Sequence, residues 1–379
     1  MSDKETGIPP EFGANTPVPR RSHITQSDIA RAAGVSRATV SLVLRNSSTI
    51  PHRTREHVLR CAEQLGYVYN RGAASLRTAS THTVGLVVHD ITNPYFAETV
   101  AAIQRELGKQ GRVAFLGDTG DSPEQQRAFV DTIREYNVDG IIMSPAAGTD
   151  AAWIARLKDW RLPCVTFSRT LADADVDYVG GDNFGGTRQA TEHLLALGHR
   201  RIAMIGANQA ISTGRERLAG YRGALSDAGL KSDENLIVAC PATRKAGHDA
   251  LIHLLCQKNA PTAAVCFNDV IAFGVMLALQ NLGRKAGKDF SVIGYDDVPE
   301  AVLWSPGLTT QRVVCDAIGQ TAVRLLLRRL AEPTAPTERV IIPPEFQVRQ
   351  TTLKPPSKSA MLALRAAALQ WKEGAGAGA

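Results

Sequence analysis

Residues 24–76, ITQSDIARAAGVSRATVSLVLRNSSTIPHRTREHVLRCAEQLGYVYNRGAASL, determine the fold at the amino-terminal end of this chain. Thr25 followed by Asp28 is a helix-start signal close to a capping box. Gly34 ends the first helix, because a glycine adopts a left-handed backbone at little cost. Ser36 can cap a second helix that begins with the next residue. Two short helices joined by a glycine turn predict a helix-turn-helix.

The second of these helices has an outer face that suits DNA, although any three-helix domain could show the same pattern. The charge distribution favours DNA. Residues 20–80 hold ten arginines, no lysine and three acidic residues, a net charge of +7 against +6 for the whole chain. A basic unit attached to a nearly neutral remainder is typical of a protein that binds phosphate groups. The sequence therefore predicts DNA contacts by Thr25, Ser36, Arg37, Ala38, Thr39, Ser41, Leu42 and Arg45.

The bulk composition is that of an ordinary soluble protein. The chain has 379 residues, 44% of them hydrophobic and 21% charged, which leaves room for two or three domains. Residues 1–22 lack the apolar core of a signal peptide, so we expect a disordered leader and a cytoplasmic protein. No apolar run is long enough to predict a membrane span. The cysteines and histidines are scattered, so we expect no disulfide, no metal site and no cofactor.

Beyond Thr83 short β-branched runs alternate with amphipathic helical stretches. Such alternation predicts parallel sheets covered by helices on both faces. Because the strands fall into two sets, the sequence predicts an all-α helix-turn-helix module followed by a two-lobed α/β core. This core has two doubly wound parallel sheets with a cleft between them, as in periplasmic binding proteins. The predicted strands are 84–88, 112–117, 140–144 and 163–168 in the first set and 201–206, 236–240, 262–267 and 290–295 in the second.

Polar residues follow several of these strands, where the cleft should lie. Asp118, Ser144 and Arg169 follow strands of the first set, and Asn268 and Asp296 follow strands of the second. An arginine beside carboxylates suits a ligand with vicinal hydroxyl groups, because each charged group can bind a pair of them. The alternative is that such residues cap helices or pair between lobes. Helix capping is the favoured role of Asn183, Asp269 and Asp297.

Two motifs connect the chain to a known family. The motif A-R-A-A-G-V-S-x-A-T-V-S at 30–41, followed by T-R-E-H-V-L-R-C-A-E-Q-L-G-Y at 54–67, resembles the lactose-repressor/galactose-repressor family of bacterial regulators. The likeness extends from about residue 24 to residue 352. It implies a homodimer, or a tetramer, that binds a near-palindromic operator in the nucleoid and senses a small, sugar-like metabolite. Repression is favoured over activation, because a bound dimer needs only to occupy a promoter.

The resemblance also assigns ligand-binding roles. Residues 93–96, N-P-Y-F, match a family motif whose aromatic side chains line the effector pocket, although Asn93 could simply begin a helix. Arg217 lies in a match to the family's R-L-A-G-aromatic segment, and Asp296 matches an aspartate that hydrogen-bonds the effector. The candidate effector-binding residues are Tyr95, Phe96, Asp118, Ser144, Arg169, Thr213, Arg217, Asn268 and Asp296.

The segment 70–81 connects the two predicted parts. Its residue types favour a plain linker, whereas in the resembling family this segment is a hinge helix that folds on operator DNA. A helix of this length is too short to persist alone in water. Leu76 matches a leucine that the family inserts into the minor groove, and Asn70 and Ala73 would contact DNA beside it. The expected domains are a leader (1–22), a helix-turn-helix unit (23–69), the hinge (70–81), the core (82–354) and a disordered tail (355–379), for which one Ala-rich helix is the alternative.

One position departs from the family, and two other protein classes compete with it. Leu42 stands where the family commonly has an arginine, so Arg37 would make the main guanine contact. An enzyme is disfavoured because G-x-G-x-x-G after a strand, G-x-x-x-x-G-K-[ST], G-x-S-x-G and H-E-x-x-H are missing, and we expect no catalytic residue. A transport binding protein would share the two lobes but not the basic amino-terminal unit.

Overall fold

A computed structural model describes residues 24–45, 47–68 and 80–376 of the chain. The chain divides into two compact units between Ala79 and Ser80. The leader expected at 1–22 lies outside the described residues, as do the hinge residues Asn70, Ala73 and Leu76. Within the described ranges no helix combines the length and apolar character needed to span a bilayer.

Three helices form the described part of the amino-terminal unit: α1 (Gln26–Ala33), α2 (Arg37–Leu44) and α3 (His52–Gln64). The capping box is present, since the Thr25 hydroxyl accepts from the Asp28 amide at 3.3 Å and the Asp28 carboxylate accepts from the Thr25 amide at 2.9 Å. Gly34 has a φ of 63° and ends α1. Ser36 caps α2 by accepting from the Thr39 amide at 3.1 Å. Gly34 and Ser36 therefore fix where α1 ends and where α2 begins.

The core of this unit is small and mostly aliphatic. Ile29, Val40 and Val58, one from each helix, are fully buried and belong to one cluster. Two alanines of α1, Ala30 and Ala33, are buried in the same cluster, and their small side chains let the helices approach closely. A domain of this size buries little surface on folding, so its margin of stability is thin.

The carboxyl-terminal unit has two lobes, each built on a six-stranded sheet. Lobe 1 contains β1 (Thr83–Val88), β2 (Val113–Asp118), β3 (Gly140–Met143), β4 (Cys164–Phe167), β5 (Asp177–Gly181) and β11 (Arg339–Ile342), with helices α4 (Pro94–Lys109), α5 (Pro123–Glu135), α6 (Ala151–Asp159) and α12 (Cys315–Ala331). The strand order is β11-β5-β4-β3-β1-β2, and every neighbouring pair is parallel. Leu86 packs on one face with α4 and α12, and Val87 packs on the other with α5 and α6.

Lobe 2 repeats this plan with one exception. It contains β6 (Ile202–Ile205), β7 (Ile237–Val238), β8 (Ala263–Cys266), β9 (Ser291–Asp296), β10 (Thr309–Arg312) and β12 (Glu345–Gln347), with helices α7 (Asn183–Ala196), α8 (Ser212–Asp227), α9 (Arg244–Leu255), α10 (Asp269–Asn281), α11 (Glu300–Leu303) and α13 (Lys358–Gly376) and a 3-10 helix at Glu234–Leu236. The order is β12-β10-β9-β8-β6-β7, with β12 antiparallel to β10 and the other pairs parallel.

The chain passes between the lobes three times within residues 80–376: from β5 to α7, from β10 to α12, and from β11 to β12. The sequence predicted the second and third passages, which involve the helix near 315–329 and the strands near 338–348. It missed β5 and β10. Both are short and begin or end with polar residues, so neither shows the apolar run that marks a buried strand.

The expectation of a disordered tail over 355–379 is wrong for the part that is described. Lys358–Gly376 form α13, on which Leu364 and Ala368 are buried in the hydrophobic core of lobe 2. Met361 is partly buried against the same core. These residues lie at helical spacing, so burial of one face against lobe 2 stabilises the helix.

Candidate functional site

A cleft of about 540 Å³ lies between the two lobes, beyond the carboxyl ends of their parallel strands. The strand ends of β1, β2 and β4 contribute from lobe 1, and those of β6, β8 and β9 contribute from lobe 2. The lining includes His89, Asp90, Tyr95, Phe96, Asp118, Asp121 and Arg169 from lobe 1 and Asn208, Thr213, Arg217, Phe267, Asn268 and Asp296 from lobe 2.

Lobe 1 contributes an aromatic wall with a neutral histidine. His89 follows β1, and its ring meets Phe96 edge-on with 4.3 Å between the ring centroids. The Ser144 hydroxyl lies 3.0 Å from Nδ1 of His89. Burial lowers the pKa of His89 to about 3, the charge of Arg169 adds to this effect, and Asp121 opposes it. The neutral imidazole therefore faces the cleft as a hydrogen-bonding group without charge.

Arg169 and Asp121 form a closed ion pair in lobe 1. The two terminal nitrogens of the Arg169 guanidinium donate to the Asp121 carboxylate, one of them at 3.2 Å, and Nη1 also donates to the Pro145 carbonyl at 3.1 Å. Burial works against ionisation of Asp121, but the hydrogen bond and charge of Arg169 outweigh it and hold the pKa of Asp121 below its ordinary value. Arg169 and Asp121 neutralise each other and bind each other's hydrogen-bonding groups, so little charge remains for a ligand.

Arg217 of α8 is fixed by groups other than a carboxylate. Its Nε donates to the Asn183 side-chain oxygen at 2.9 Å, and Nη1 donates to the Phe267 carbonyl. The guanidinium also lies over the Tyr295 ring, 3.6 Å from the centroid. The nearest carboxylate oxygen, Oδ1 of Asp296, is 3.8 Å from Nη2 and beyond hydrogen-bonding distance. The charge of Arg217 is near Asp296 but its donors are directed elsewhere.

Asp296 is consequently a buried carboxylate without donors. Its side chain accepts no hydrogen bond from any described residue, although the residue is only 7% exposed. Burial raises the pKa of Asp296 to about 7, an effect that Arg217 partly offsets and Glu98 increases. Its backbone φ of 116° lies in a region that favours glycine. A strained backbone that holds a carboxylate in the cleft without a protein donor is costly, which indicates a position kept for a ligand.

Asn268 offers the complementary donor. Its side-chain oxygen accepts from the Ile271 amide at 3.0 Å and so caps α10. Its Nδ2 is buried and has no hydrogen-bond partner among the described residues. An unused acceptor at Asp296 and an unused donor at Asn268, in one cleft, match groups that both donate and accept hydrogen bonds. Hydroxyl groups have this property.

Eight of the nine candidate effector residues line the cleft, and Ser144 does not. Ser144 is fully buried and reaches the cleft only through His89. The sequence missed Asp121, although its partner Arg169 was found, because the two are 48 residues apart and only the fold brings them together. Phe267 was also missed, and its position at the end of a predicted strand could have revealed it.

Helix capping does not explain the three residues for which it was favoured. Asn183 accepts from Arg217. Asp269 accepts from the Thr310 hydroxyl at 2.6 Å, and Asp297 pairs with two arginines at 2.7 and 2.8 Å. The caps of α7 and α10 come from the residue before each helix, because the cap must still have an extended backbone.

The amino-terminal unit carries the candidate DNA-contacting residues on and around α2. Arg37 and Ala38 are exposed at the start of α2, and Ser41 and Leu42 are partly exposed one turn later. Arg37 makes no hydrogen bond or ion pair with the described residues. Arg45 is exposed, and its Nε donates to the Ser41 carbonyl at 3.1 Å. The outer face of α2 therefore presents one uncommitted guanidinium beside small and aliphatic side chains.

The remaining candidates of this unit are hydroxyl residues at helix starts. The Thr25 hydroxyl lies 2.7 Å from the Asp28 carboxylate, and the Ser36 and Thr39 hydroxyls lie 2.9 Å apart. Helix starts carry free backbone N–H groups and the positive end of the helix dipole, which suit a phosphate group. The hinge candidates Asn70, Ala73 and Leu76 lie outside the described residues.

Comparisons with known proteins agree with both parts of this arrangement. Residues 25–70 match the family profile described as bacterial regulatory proteins, lacI family, and residues 81–350 match that of periplasmic binding proteins and the sugar binding domain of the LacI family. The transcriptional repressor PurR of Mannheimia succiniciproducens is 30% identical over 87% of this chain and 99% of its own. A Lac repressor dimer bound to operator and the anti-inducer ONPF is 26% identical, with a TM-score of 0.78 over 88% of this chain and 100% of that one. The regulator CelR in complex with cellobiose is 31% identical, with a TM-score of 0.66 over 87% and 100%.

Proposed function

This chain belongs to the lacI family of bacterial regulatory proteins, and we propose that it is a homodimeric repressor whose operator affinity is switched by a small polar metabolite. Support comes from the helix-turn-helix unit, from the two-lobed core, and from relatives that are regulators rather than enzymes. The single observation that carries the ligand assignment is the donor-free carboxylate of Asp296 in the cleft. Binding to operator DNA puts the proposed site of action in the cytoplasm, on the nucleoid.

The cleft chemistry favours a neutral, hydroxyl-rich effector. Its lining holds four carboxylates and two arginines (Asp90, Asp118, Asp121 and Asp296 against Arg169 and Arg217). Arg169 is neutralised by Asp121, and Arg217 lies near Asp296, so a phosphate or carboxylate group would meet an excess of negative charge. Hydroxyl groups can donate to Asp296 and accept from Asn268, while Phe96 and Phe267 offer aromatic faces to the apolar side of a sugar ring.

Titration calorimetry with the purified protein tests this effector class. The probes are cellobiose, which the similar regulator CelR binds, glucose, and glucose 6-phosphate. We expect a neutral sugar to bind at least about tenfold more tightly than its phosphorylated form, because one uncompensated charge costs more than a kcal/mol in a shielded cleft. Tighter binding of the phosphate would contradict the neutral-ligand assignment. The variant Asp131→Asn, which changes an exposed ion pair on α5, is the matched control.

We propose that Arg37 makes the main base contact, because its guanidinium lies on the outer face of α2 and has no partner among the described residues. Leu42 is partly exposed and offers only apolar contact, which suits a thymine methyl group. We expect Arg37→Ala to lose a guanine preference of about 1–3 kcal/mol at one position of each half-site. Leu42→Arg should gain a G·C preference at another position.

Binding selection from random duplexes, run for the wild type and both variants, measures these preferences. An unchanged consensus in Arg37→Ala would contradict this docking of α2. The affinity of the wild type should also fall with salt, with a log–log slope of roughly −0.9 for each phosphate contacted. A slope near zero would contradict DNA binding itself, whatever the half-site.

A further inference from the structure

Asp139 holds the turn with which the chain begins the carboxyl-terminal unit. Its carboxylate accepts from the Ser80 hydroxyl at 2.6 Å, from the Thr81 amide at 2.7 Å and from the His82 amide at 3.0 Å. Arg112 pairs with the same carboxylate. The Asp139 side chain is 6% exposed, so these contacts replace water almost completely. One buried carboxylate thus fixes three consecutive residues, a segment we name the 80–82 turn.

The 80–82 turn depends on this anchor for its shape. His82 has a φ of 55°, a left-handed conformation that costs a residue other than glycine free energy. Two successive backbone amides, those of Thr81 and His82, converge on one carboxylate. Burial opposes ionisation of Asp139, but the hydrogen bonds from Ser80, Thr81 and Arg112 outweigh it and lower its pKa. Without the negative charge the hydrogen bonds from these amides would weaken, and the strained turn would lose part of its support.

Two neighbouring strands run from this anchor to the cleft. β1 follows the 80–82 turn and leads to His89, and β3 follows Asp139 and leads to Ser144. The strands are parallel and hydrogen-bonded, and backbone bonds close both ends of the pair, from Asp139 N to Thr83 O at 2.8 Å and from Ser144 N to Val87 O at 2.9 Å. At the cleft end the side chains of His89 and Ser144 are also bonded. The pair spans roughly 20 Å as a rigid element.

We propose that Asp139 is a positioning residue that passes the state of the cleft, through the paired strands β1 and β3, to the segment leading into the DNA-binding unit. The proposal rests on the proposed function, since it supplies the link between effector cleft and operator affinity. A ligand that displaces His89 moves β3 together with β1, because the Ser144 hydroxyl links His89 to the end of β3. At the opposite end of β3, the Asp139 carboxylate binds the 80–82 turn, so a movement of β3 is passed to that turn.

A double-mutant cycle on operator affinity tests this link without any effector. The operator is the duplex that the full-length wild type selects from random DNA, and the variants are Ser144→Ala, Asp139→Asn and both together. We expect Ser144→Ala to change operator affinity by about threefold or more in the wild type and by less than about 1.5-fold in the Asp139→Asn background. Affinity for random DNA should stay unchanged, which separates the link from a loss of folding.

Two outcomes would overturn the proposal: additive effects of the two substitutions, or no effect of Ser144→Ala on operator affinity in the wild type. Ser80→Ala provides a second test if Asp139→Asn does not fold, because it removes one donor and leaves Arg112 paired; it should weaken the Ser144→Ala effect in part. Amide hydrogen exchange at Thr81 and His82 should accelerate in Asp139→Asn and stay slow in the control Asp131→Asn. Sugar calorimetry decides the proposed effector function independently, since Asp139 is outside the cleft.

Discussion

The cleft contains two arginine–aspartate pairs, one in each lobe, and they are built in opposite ways. In lobe 1, Arg169 and Asp121 meet through two hydrogen bonds, and the pKa of Asp121 is lowered. In lobe 2, Arg217 and Asp296 are 3.8 Å apart, both are 7% exposed, and the pKa of Asp296 is raised to about 7. The same two residue types therefore give a hydrogen-bonded ion pair in one lobe and a carboxylate without a protein donor in the other.

The difference comes from what surrounds each arginine. Asn183, the Phe267 carbonyl and the Tyr295 ring take up the guanidinium of Arg217, so its charge remains close to Asp296 while its donors point away. Among the described residues, the guanidinium of Arg169 has one backbone carbonyl as a partner besides its aspartate. A satisfied pair stabilises the wall of a site, whereas an unsatisfied one gains free energy when a ligand supplies hydrogen bonds. We therefore expect the effector's hydroxyl groups to bind in lobe 2 at Asp296.

The largest expected effect is that of Asp296→Asn on sugar affinity. The substitution keeps the size of the side chain but removes the charge and one acceptor, so two charge-assisted hydrogen bonds weaken. Each contributes about 1.5–3 kcal/mol, and we expect sugar affinity to fall by about 100-fold or more. Calorimetry measures the affinity, and a gel shift with the selected operator should show DNA binding close to that of the wild type. Sugar affinity within threefold of the wild type would show that the ligand does not bind Asp296.

The sequence could predict the strand ends and the identity of most cleft residues, but not this difference between the pairs. Arg217 and Asp296 follow from position and family resemblance. That Asp296 lacks donors depends on Asn183, which draws the guanidinium away and comes from another helix. Asp121 has no local signal at all, because its role arises only when lobe 1 folds. The helix-turn-helix, by contrast, follows from neighbouring residues such as Thr25 and Gly34, so its boundaries were predictable.

The second prediction is a pH dependence that only the lobe 2 pair should cause. The pKa of Asp296 in the free protein is about 7, and hydroxyl groups bind the ionised carboxylate better. Below pH 7 ligand binding must first remove a proton, so sugar affinity should fall about fivefold from pH 7 to pH 6 and by about tenfold for each further pH unit. Calorimetry at pH 8, 7 and 6 measures this trend. A flat profile in the wild type would contradict the assignment, and a flat profile in Asp296→Asn is the expected control.

Because the pKa of Asp296 is raised and that of Asp121 is lowered, the two aspartates stabilise the folded protein over opposite pH ranges. The pKa of Asp296 is raised on folding, so its contribution to the free energy of unfolding is present below the ordinary aspartate pKa and is lost as the pH rises to about 7. The pKa of Asp121 is lowered, so its contribution is present above the ordinary pKa and is lost as the pH falls. Denaturant unfolding without ligand should therefore show Asp296→Asn gaining stability relative to the wild type between pH 5 and pH 8.

The smallest expected effect is that of Asp121→Asn, and it changes the kind of ligand rather than the strength of binding. The substitution leaves the guanidinium of Arg169 without a neutralising carboxylate, so a nearly buried and uncompensated cation faces the cleft. We expect the affinity for a neutral sugar to change by less than about fivefold, because Asp296 and Asn268 are untouched. Glucose 6-phosphate should gain about tenfold, because Arg guanidinium groups bind phosphate through paired hydrogen bonds. Calorimetry with both sugars measures the two changes.

If Asp121→Asn weakened neutral sugar binding as strongly as Asp296→Asn, the ligand would bind both pairs alike and the lobe 1 pair would not be self-satisfied. A gain for the phosphate alone would instead show that Asp121 keeps the cleft selective for uncharged effectors by neutralising Arg169.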